Sequence, residues 1–596
     1  MIVLGFSWPI MDKNSVAVIL DGKLVFASGE TRHTKASYAL QEPPLYALKA
    51  AFGYLEKKHG IKPHEITDFA IDKDRTKFKF CKVPDFQRSV LPLYDARLAR
   101  ADASFNKPSE LAGFARSALT NPDAGLARLF ILRAYRALGF ARPGNIRIHP
   151  VEHQLAHAAS AYYFSGANSS AVVVSDSYGE IEHTTIWKVK DGEFEKLMGM
   201  PITSGSAGVL WGKLGKYVLN LESWELTDLA AWGGGCRDEG MRRRFDSLVA
   251  ADGRWPYVIA GGQRSSFFHP VKFTDNPSYA PLLKGLLKGK DLRWAYKGEL
   301  NKDVAAAAWC GQEILEKSML MLSSWAKEKT SEKKLGLAGV SFMNTLVNTK
   351  IRDSGAFDEV FVFPATDNSG SPAGAAAYVY EHVLGGRIQR CRLDDVYLGP
   401  EYDSESVRKM VERGGWKVSA DGIEGAAELV SKGKVVAWYQ GRSEYGIWPL
   451  GNRSVFIDAT SEEARRRLNS AKGMWWWRSL SASVLKEDLA MYFSDPIPDP
   501  LMTARLELNS EGSSRLLAVR QPGDLVQVQS VTKRTNPKLY ELLRSVRDLH
   551  GIAAVGNASF SLPRRPMAET PEDAITNFGL GGFDAMYIDG LLISKG

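Results

Sequence analysis

Short apolar runs of strand length recur along this chain between long helical patterns, and that alternation restricts the fold more than any other feature. Residues 2–6, 16–20 and 24–28 read as a hairpin, with a polar loop at Asp12, Lys13, Asn14 and Ser15 and a turn at Asp21 and Gly22. Similar runs return at 171–175, 335–339 and 360–363, while residues 45–58 and 304–327 carry helical periodicity. Strands alternating with helices define an α/β protein. With 596 residues, 44% of them hydrophobic, the chain has enough apolar surface for two or three cores. Gly370, Gly374 and the small residues 375–377 permit close helix packing beside a turn. The polar stretch from Gly385 to Pro400 has linker chemistry. A new α/β pattern begins after it, with an amphipathic helix at 404–413 and a strand at 435–439. The expected organisation is one unit over 1–385, a linker over 386–399 and a second unit over 400–596.

Bulk properties exclude several classes. The opening Met1-Ile2-Val3-Leu4-Gly5 lacks a basic region before an apolar stretch, and no apolar run approaches the roughly 20 residues that span a bilayer. A cytoplasmic location without a membrane partner is expected. Cys81, Cys236, Cys310 and Cys391 lie far apart, which argues against a disulfide framework and a thiolate metal site. The net charge of +8 is spread out, with local density only at 73–82 and at Arg465, Arg466 and Arg467. Such cations form solvated faces or offset anionic ligands such as ATP and phosphate. A nucleic-acid partner is not expected. The one compositional oddity is Trp475-Trp476-Trp477.

The sharpest local signal is His153-Gln154-Leu155-Ala156-His157, in an Ala-rich helical stretch. Histidines four apart share one helix face and can share an ion such as Fe, Zn or Ni. No glutamate follows the first histidine, so the zincin pattern and its general base are absent. The same spacing also suits two satisfied, partly buried histidines. Asp176 and Asp367 each follow an apolar strand, where α/β proteins hold metals and phosphates, although a helix cap and a turn former are the plain alternatives. Together the four would make an open site of two nitrogens and two oxygens, able to polarise a ligand oxygen.

These segments, with the 30–35 stretch containing Arg32 and Lys35, the Asp176-Ser177-Tyr178-Gly179-Glu180 run, Gly339, Asn344 and Asn368, carry a family resemblance. The first unit resembles the amino-terminal domain of the O-carbamoyltransferases of antibiotic and nodulation-factor biosynthesis, itself similar to the universal tRNA threonylcarbamoyltransferase. The resemblance implies an actin and sugar-kinase type of ATPase fold. It also implies iron or another divalent metal on His153, His157, Asp176 and Asp367, with Arg32, Lys35, Gly179, Gly339, Asn344 and Asn368 at the cofactor.

Residues 441–446 and 450–454, Ser483-Val484-Leu485, Asn536-Pro537 and 570–574 continue the match in family order. This second unit resembles the enzyme that makes threonylcarbamoyl-adenylate. The resemblance implies a two-site reaction: ATP, with Mg, and carbamoyl phosphate would give carbamoyl-adenylate here, and the first unit would pass the carbamoyl group to a hydroxyl of a small natural product or sugar. Arg442, Arg453, Lys472 and Arg478 would be the cations around phosphate, with Asn557 and Ser559 as hydrogen-bonding partners. Each also has a structural alternative, as surface arginines usually make solvated contacts and Asn557 and Ser559 can complete a strand-to-loop turn.

The chain departs from the family where chemistry is expected. Gly446-Ile447-Trp448-Pro449-Leu450-Gly451 lacks an arginine of the family's Gly-Pro-Arg-Ala-Leu-Gly pattern, a histidine and an arginine become Gln521 and Gln527, and Trp475-Trp476-Trp477 replaces a charged segment. The tryptophans read as core or as an aromatic platform. Glu225-Leu226-Thr227-Asp228 replaces a lysine-containing segment, and the first loop has lost its expected histidine. Three functions therefore stand: an O-carbamoyltransferase with a small hydroxyl acceptor, a member that has lost adenylation and performs another acyl transfer, hydrolysis or condensation, and a noncatalytic nucleotide-binding subunit. A homodimer is the assembly considered.

Overall fold

The structure is a computed structural model that describes residues 1–595 apart from 8–12, 36–42, 75–120, 178, 203, 237, 252, 254, 260–279, 293–298 and 420. The expectations placed on Asp12, Cys81 and most of the 73–82 run lie outside the described residues.

The amino-terminal half is built twice on one plan. β1 (Ile2–Phe6), β2 (Ser15–Leu20) and β3 (Lys23–Gly29) form an antiparallel meander, and β4 (Asp68–Ile71) and β5 (Arg147–Pro150) add in parallel, giving the order β3-β2-β1-β4-β5. A second meander comes next in β6 (Ser169–Ser175), β7 (Glu182–Lys190) and β8 (Glu193–Pro201), then a short ribbon of β9 (Val249–Ala250) and β10 (Val258–Ile259). β11 (Lys334–Ala338) and β12 (Glu359–Val362) complete the second sheet as β8-β7-β6-β11-β12, the same order again. This duplicated topology is the expected actin and sugar-kinase type of ATPase fold. β6 is a continuous apolar run because both its faces are covered: Ala171 and Val173 enter one core, Val172 and Val174 another.

The helix after the fifth strand of each of these two sheets, His153–Tyr163 and Ser371–Tyr378, packs against its counterpart. A Cβ at Gly374 would lie 1.9 Å from the Ala156 carbonyl oxygen, so glycine alone permits this approach. The predicted helix at 304–327 is Lys302–Thr330, started by Asn301, whose side chain accepts from the backbone N–H groups of Asp303 and Val304.

The carboxy-terminal half is one mixed sheet. Its strands are β13 (Lys417–Ser419), β14 (Val436–Tyr439), β15 (Arg453–Asp458), β16 (Ser481–Leu485), β17 (Arg505–Glu507), β18 (Leu525–Val531), β19 (Ala554–Ser559), β20 (Ala585–Ile588) and β21 (Leu591–Ser594). Their order is β13-β21-β20-β14-β15-β19-β16-β18-β17. Alternate residues of β14 feed opposite cores, Val436 and Trp438 on one face, Ala437 and Tyr439 on the other.

The 386–399 segment is docked on the first half. The N–H of Gln389 donates to the Gly22 carbonyl at 2.9 Å, that of Leu393 to Phe164 at 3.0 Å, and Ala27 donates to Leu398 at 3.0 Å. Ile388 and Val396 bury their side chains in the amino-terminal core, which supplies what a free tether would lack. The tryptophan run also packs: Trp477 is buried, Trp476 meets Trp232 at 5.1 Å between centroids, and Trp475 stacks on Trp477 at 6.2 Å.

Candidate metal centre and domain junction

The helix His153–Tyr163 starts beneath the end of β6, with the Glu180 carboxylate accepting the His153 backbone N–H at 3.0 Å. This anion sits where the first-turn N–H groups and the helix dipole favour it. One turn apart, the rings of His153 and His157 stand edge to face at 4.6 Å and 89°. His153 Nε2 lies 2.9 Å from Asp176 Oδ2, and His157 Nε2 lies 3.5 Å from the same oxygen. One ligand atom from each of the three residues falls within 4.8 Å of the others, and all three are buried.

Burial alone would raise the Asp176 carboxyl, but the two imidazoles beside it hold it far below the ordinary carboxylate range. Burial and the charge of Lys73 oppose protonation of His153, yet the Asp176 and Asp72 carboxylates on either side raise its pKa to about 9. His157 Nδ1 is buried with no hydrogen-bond partner among the described residues, and its Nε2 has only the Asp176 oxygen at 3.5 Å. Buried polar atoms are normally paired, and an under-bonded imidazole beside a carboxylate and a second histidine completes a donor set suited to a divalent ion, one ligand atom from each residue. These residues fit the metal that the sequence suggests.

Asp367, expected as the fourth ligand, is held elsewhere. Its carboxylate lies 2.6 Å from Lys13 Nζ and accepts from the Ser369 N–H at 3.0 Å. Burial would raise its pKa, and Lys13 reverses this. The ammonium neutralises the charge that a metal would otherwise use. Asp72, which the sequence did not single out, flanks His153 on the other side: His153 Nδ1 is 3.3 Å from its carbonyl oxygen and 3.5 Å from its Oδ2. It ends an apolar strand, just as Asp176 does, and that signal was available.

The residues expected at the cofactor have these contacts in the structure. Gly339, at φ 100°, lets the end of β11 pass β6, since a Cβ would meet the Ser175 carbonyl oxygen at 2.4 Å. A Cβ at Gly179 would similarly meet the Glu182 carbonyl oxygen at 2.4 Å. Asn344 caps the helix Thr345–Asp353 and bonds to Gln312 at 2.8 Å, and the Asn368 carbonyl accepts from Ser371 Oγ at 3.0 Å. Arg32 is buried at the junction with the second half, 4.0 Å from Glu444 and 3.8 Å from Glu569, and Lys35 pairs with Asp573. Both cations are turned to carboxylates 400 or more residues further on.

In the second half, Arg453 stacks 3.8 Å from the Tyr439 ring centroid and donates to the carbonyls of Gln440 at 2.6 Å and Asn452 at 3.0 Å. Arg442 donates to the carbonyls of Gly399 and Val25, each at 2.8 Å, and lies over Tyr54 at 4.3 Å. Both guanidinium groups are thus spent largely on backbone carbonyls, Arg442 as a clamp between the halves. Asn557 donates to Pro449 at 3.0 Å and to Ser483 Oγ at 2.9 Å.

Lys472 and Ser559 do come together. The Lys472 ammonium is buried against the Ser559 carbonyl and hydroxyl and reaches Ser561 Oγ at 3.1 Å. Burial, reinforced by the charge of Arg478, pushes its pKa down to about 7. Arg478 pairs with Asp228 of the first half, and Asp228 also lies 3.4 Å from Arg505, which donates to Gln521 at 2.7 Å and to Thr345 at 3.0 Å. Nothing local in the sequence marks Arg505, which lies directly across the ladder from Gln527.

Fold and site define an α/β protein whose amino-terminal part is of the kinase-like ATPase type and holds a buried imidazole–carboxylate group. The family model of the carbamoyltransferase N-terminus matches residues 3–377, and that of the carbamoyltransferase C-terminus matches residues 427–595. The chain belongs to the carbamoyltransferase family. It is 28% identical over 466 residues to an uncharacterized protein of Methanocaldococcus jannaschii, covering 74% of this chain and 73% of that one. It is 29% identical over 462 residues to the nodulation protein NolNO of Sinorhizobium fredii, covering 75% of this chain and 64% of the relative. The 3'-hydroxymethylcephem-O-carbamoyltransferase of Streptomyces clavuligerus is 30% identical over 228 residues, 38% of this chain and 42% of that enzyme. Among the described residues no helix is long and apolar enough to cross a membrane.

Proposed function

We propose that this protein is an ATP-dependent O-carbamoyltransferase that moves a carbamoyl group from carbamoyl phosphate, through carbamoyl-adenylate, to a hydroxyl of a small natural product or sugar. The observation that carries the reading is the family match on both halves in order, which supports an adenylate-forming unit beside a transferring one. In the second unit, which we take to be 400–596, Lys472, Ser559 and Ser561 would hold phosphate oxygens while carbamate displaces pyrophosphate from ATP. The carbamate would come from carbamoyl phosphate by attack of water, which releases the donor's phosphate, and its oxygen would then bond to the α-phosphorus of ATP. In the first unit, taken as 1–385, the acceptor hydroxyl would attack the carbamoyl carbon and AMP would leave. A divalent ion on His153, His157 and Asp176 would supply electrophilic polarisation of the carbamoyl oxygen. The buried helix His153–Tyr163 fixes both imidazoles one turn apart.

A second reading has an observation in its favour. Arg442 and Arg453 are bonded to carbonyls and Asp367 to Lys13, so a member that has given up adenylation while keeping the imidazole site is consistent with the same geometry.

The deciding experiment tracks AMP and pyrophosphate by chromatography with ATP, Mg and Fe(II), with and without carbamoyl phosphate. Release that requires carbamoyl phosphate supports the first reading. Folded, metal-loaded protein that releases neither would remove it in favour of the second.

A further inference from the structure

We propose that Asp72 is a positioning residue for the metal centre: its carboxylate and carbonyl fix the Nδ1–H of His153, so that Nε2 presents its lone pair to the ion. The inference rests on the metal reading given above. The two groups facing Nδ1 are the Asp72 carbonyl oxygen at 3.3 Å and the Asp72 Oδ2 at 3.5 Å. A carbonyl is always an acceptor, and so is an ionised carboxylate, so Nδ1 keeps its hydrogen in either protonation state of the ring. The neutral ring therefore has its free lone pair on Nε2, the nitrogen 2.9 Å from Asp176 and on the side of His157.

The alternative, that Asp72 is a cap or turn former, does not account for its surroundings. Its carboxylate accepts the Ser371 hydroxyl and faces His153, but receives no backbone N–H among the described residues. Asp72 is 0% exposed, and its Oδ1 has no hydrogen-bond partner among those residues. A carboxylate buried on these terms is costly unless an adjacent positive charge draws on it. Lys73 supplies part of that charge, and a metal-bound imidazole is the partner in direct contact, because ligation makes the distal N–H a stronger donor while the carboxylate raises the basicity of the ligating nitrogen. Asp72 directly follows β4 of the first sheet, and Ser371 opens the helix that succeeds the second sheet. The arrangement therefore also ties the imidazole to the packing of those two sheets.

The test titrates the full chain with Co(II), monitoring its d–d absorption and competing with a chelator. Wild type, Asp72→Asn, Asp72→Ala and Ser371→Ala are compared, with circular dichroism on each apo-protein. Loss of the carboxylate is expected to weaken Co(II) about 10- to 100-fold, and Ser371→Ala to weaken it less, in the same direction. Unchanged Co(II) affinity in folded Asp72→Asn, beside a wild type that binds, would overturn the role of Asp72 and leave the metal reading standing. A wild type that binds no Co(II) would overturn both. Should the Asp72 variants fail to fold, Ser371→Ala decides: affinity equal to wild type counts against the proposal.

Discussion

Lys13, in the loop after the first strand, sets its ammonium 2.6 Å from the carboxylate of Asp367, 354 residues later in the chain. The pair joins the loop after β1 to the segment after β12, and so links the two sheets of the first unit. Removing the ammonium should leave a buried carboxylate whose pKa climbs, since only the Ser369 hydrogen bonds then oppose burial. With Co(II) present, Lys13→Ala is expected to bind the ion roughly 3- to 10-fold more tightly, as Asp367 becomes available to it. Weaker binding in a titration would mean instead that Lys13 holds Asp367 in place for the metal.

Lys472 should give stability a pH dependence of known sign. Its folded pKa is about 7 against an unfolded value of 10.5, so between those limits the unfolded chain binds more protons. Stability contributed by this group therefore rises from pH 7 towards 10.5, and the full penalty of burying the charge is felt below 7. Urea denaturation of wild type and Lys472→Met at pH 6.5, 8 and 9.5 checks this. The variant is expected to lose up to a few kcal/mol of the pH-dependent rise. Parallel curves for the two proteins would show that the lysine is charged and solvated.

Asp228 lies between the guanidinium groups of Arg478 and Arg505, both little exposed. Asp228→Ala leaves two buried cations facing each other, a change that costs about 3–5 kcal/mol when one partner of a buried pair is removed. Because the arginines belong to one half and the aspartate to the other, limited proteolysis of the variant should release separated halves. Protection equal to wild type would place the junction's strength in the tryptophan packing.

Gly374→Ala puts a methyl group 1.9 Å from the Ala156 carbonyl oxygen, against backbone that cannot swing away. Overpacking of this kind costs about 1–3 kcal/mol or more. The melting temperature is expected to fall by several degrees, with weaker Co(II) binding, because the displaced helix carries both histidines. A variant with unaltered melting would show that the helices can slide.

How much of this was legible can be judged from particular residues. The His153 and His157 spacing, the strand ending in Asp176, the helix over 304–327 and the close-packing Gly374 are local patterns, set by helix and strand periodicity and by backbone sterics. They reached the structure as expected. Arg32, Lys35, Arg442 and Arg453 were placed by motif and Asp367 by its position after a strand, and neither signal can say which oppositely charged or carbonyl group will lie opposite when the chain is packed. Asp72 shows the converse, since its signal resembled that of Asp176 but its meaning came only from a histidine 81 residues away.

The sequence by itself determined the elements of this protein, their α/β alternation and the helix face that carries two imidazoles, because those depend on propensity and on periods of two and 3.6 residues. The tertiary structure alone decided which charges meet: Lys13 with Asp367, Arg32 with Glu444 and Glu569, Arg478 with Asp228. Those pairings arise from desolvation at the contacts between distant segments, where a buried charge must find a partner wherever in the chain that partner lies.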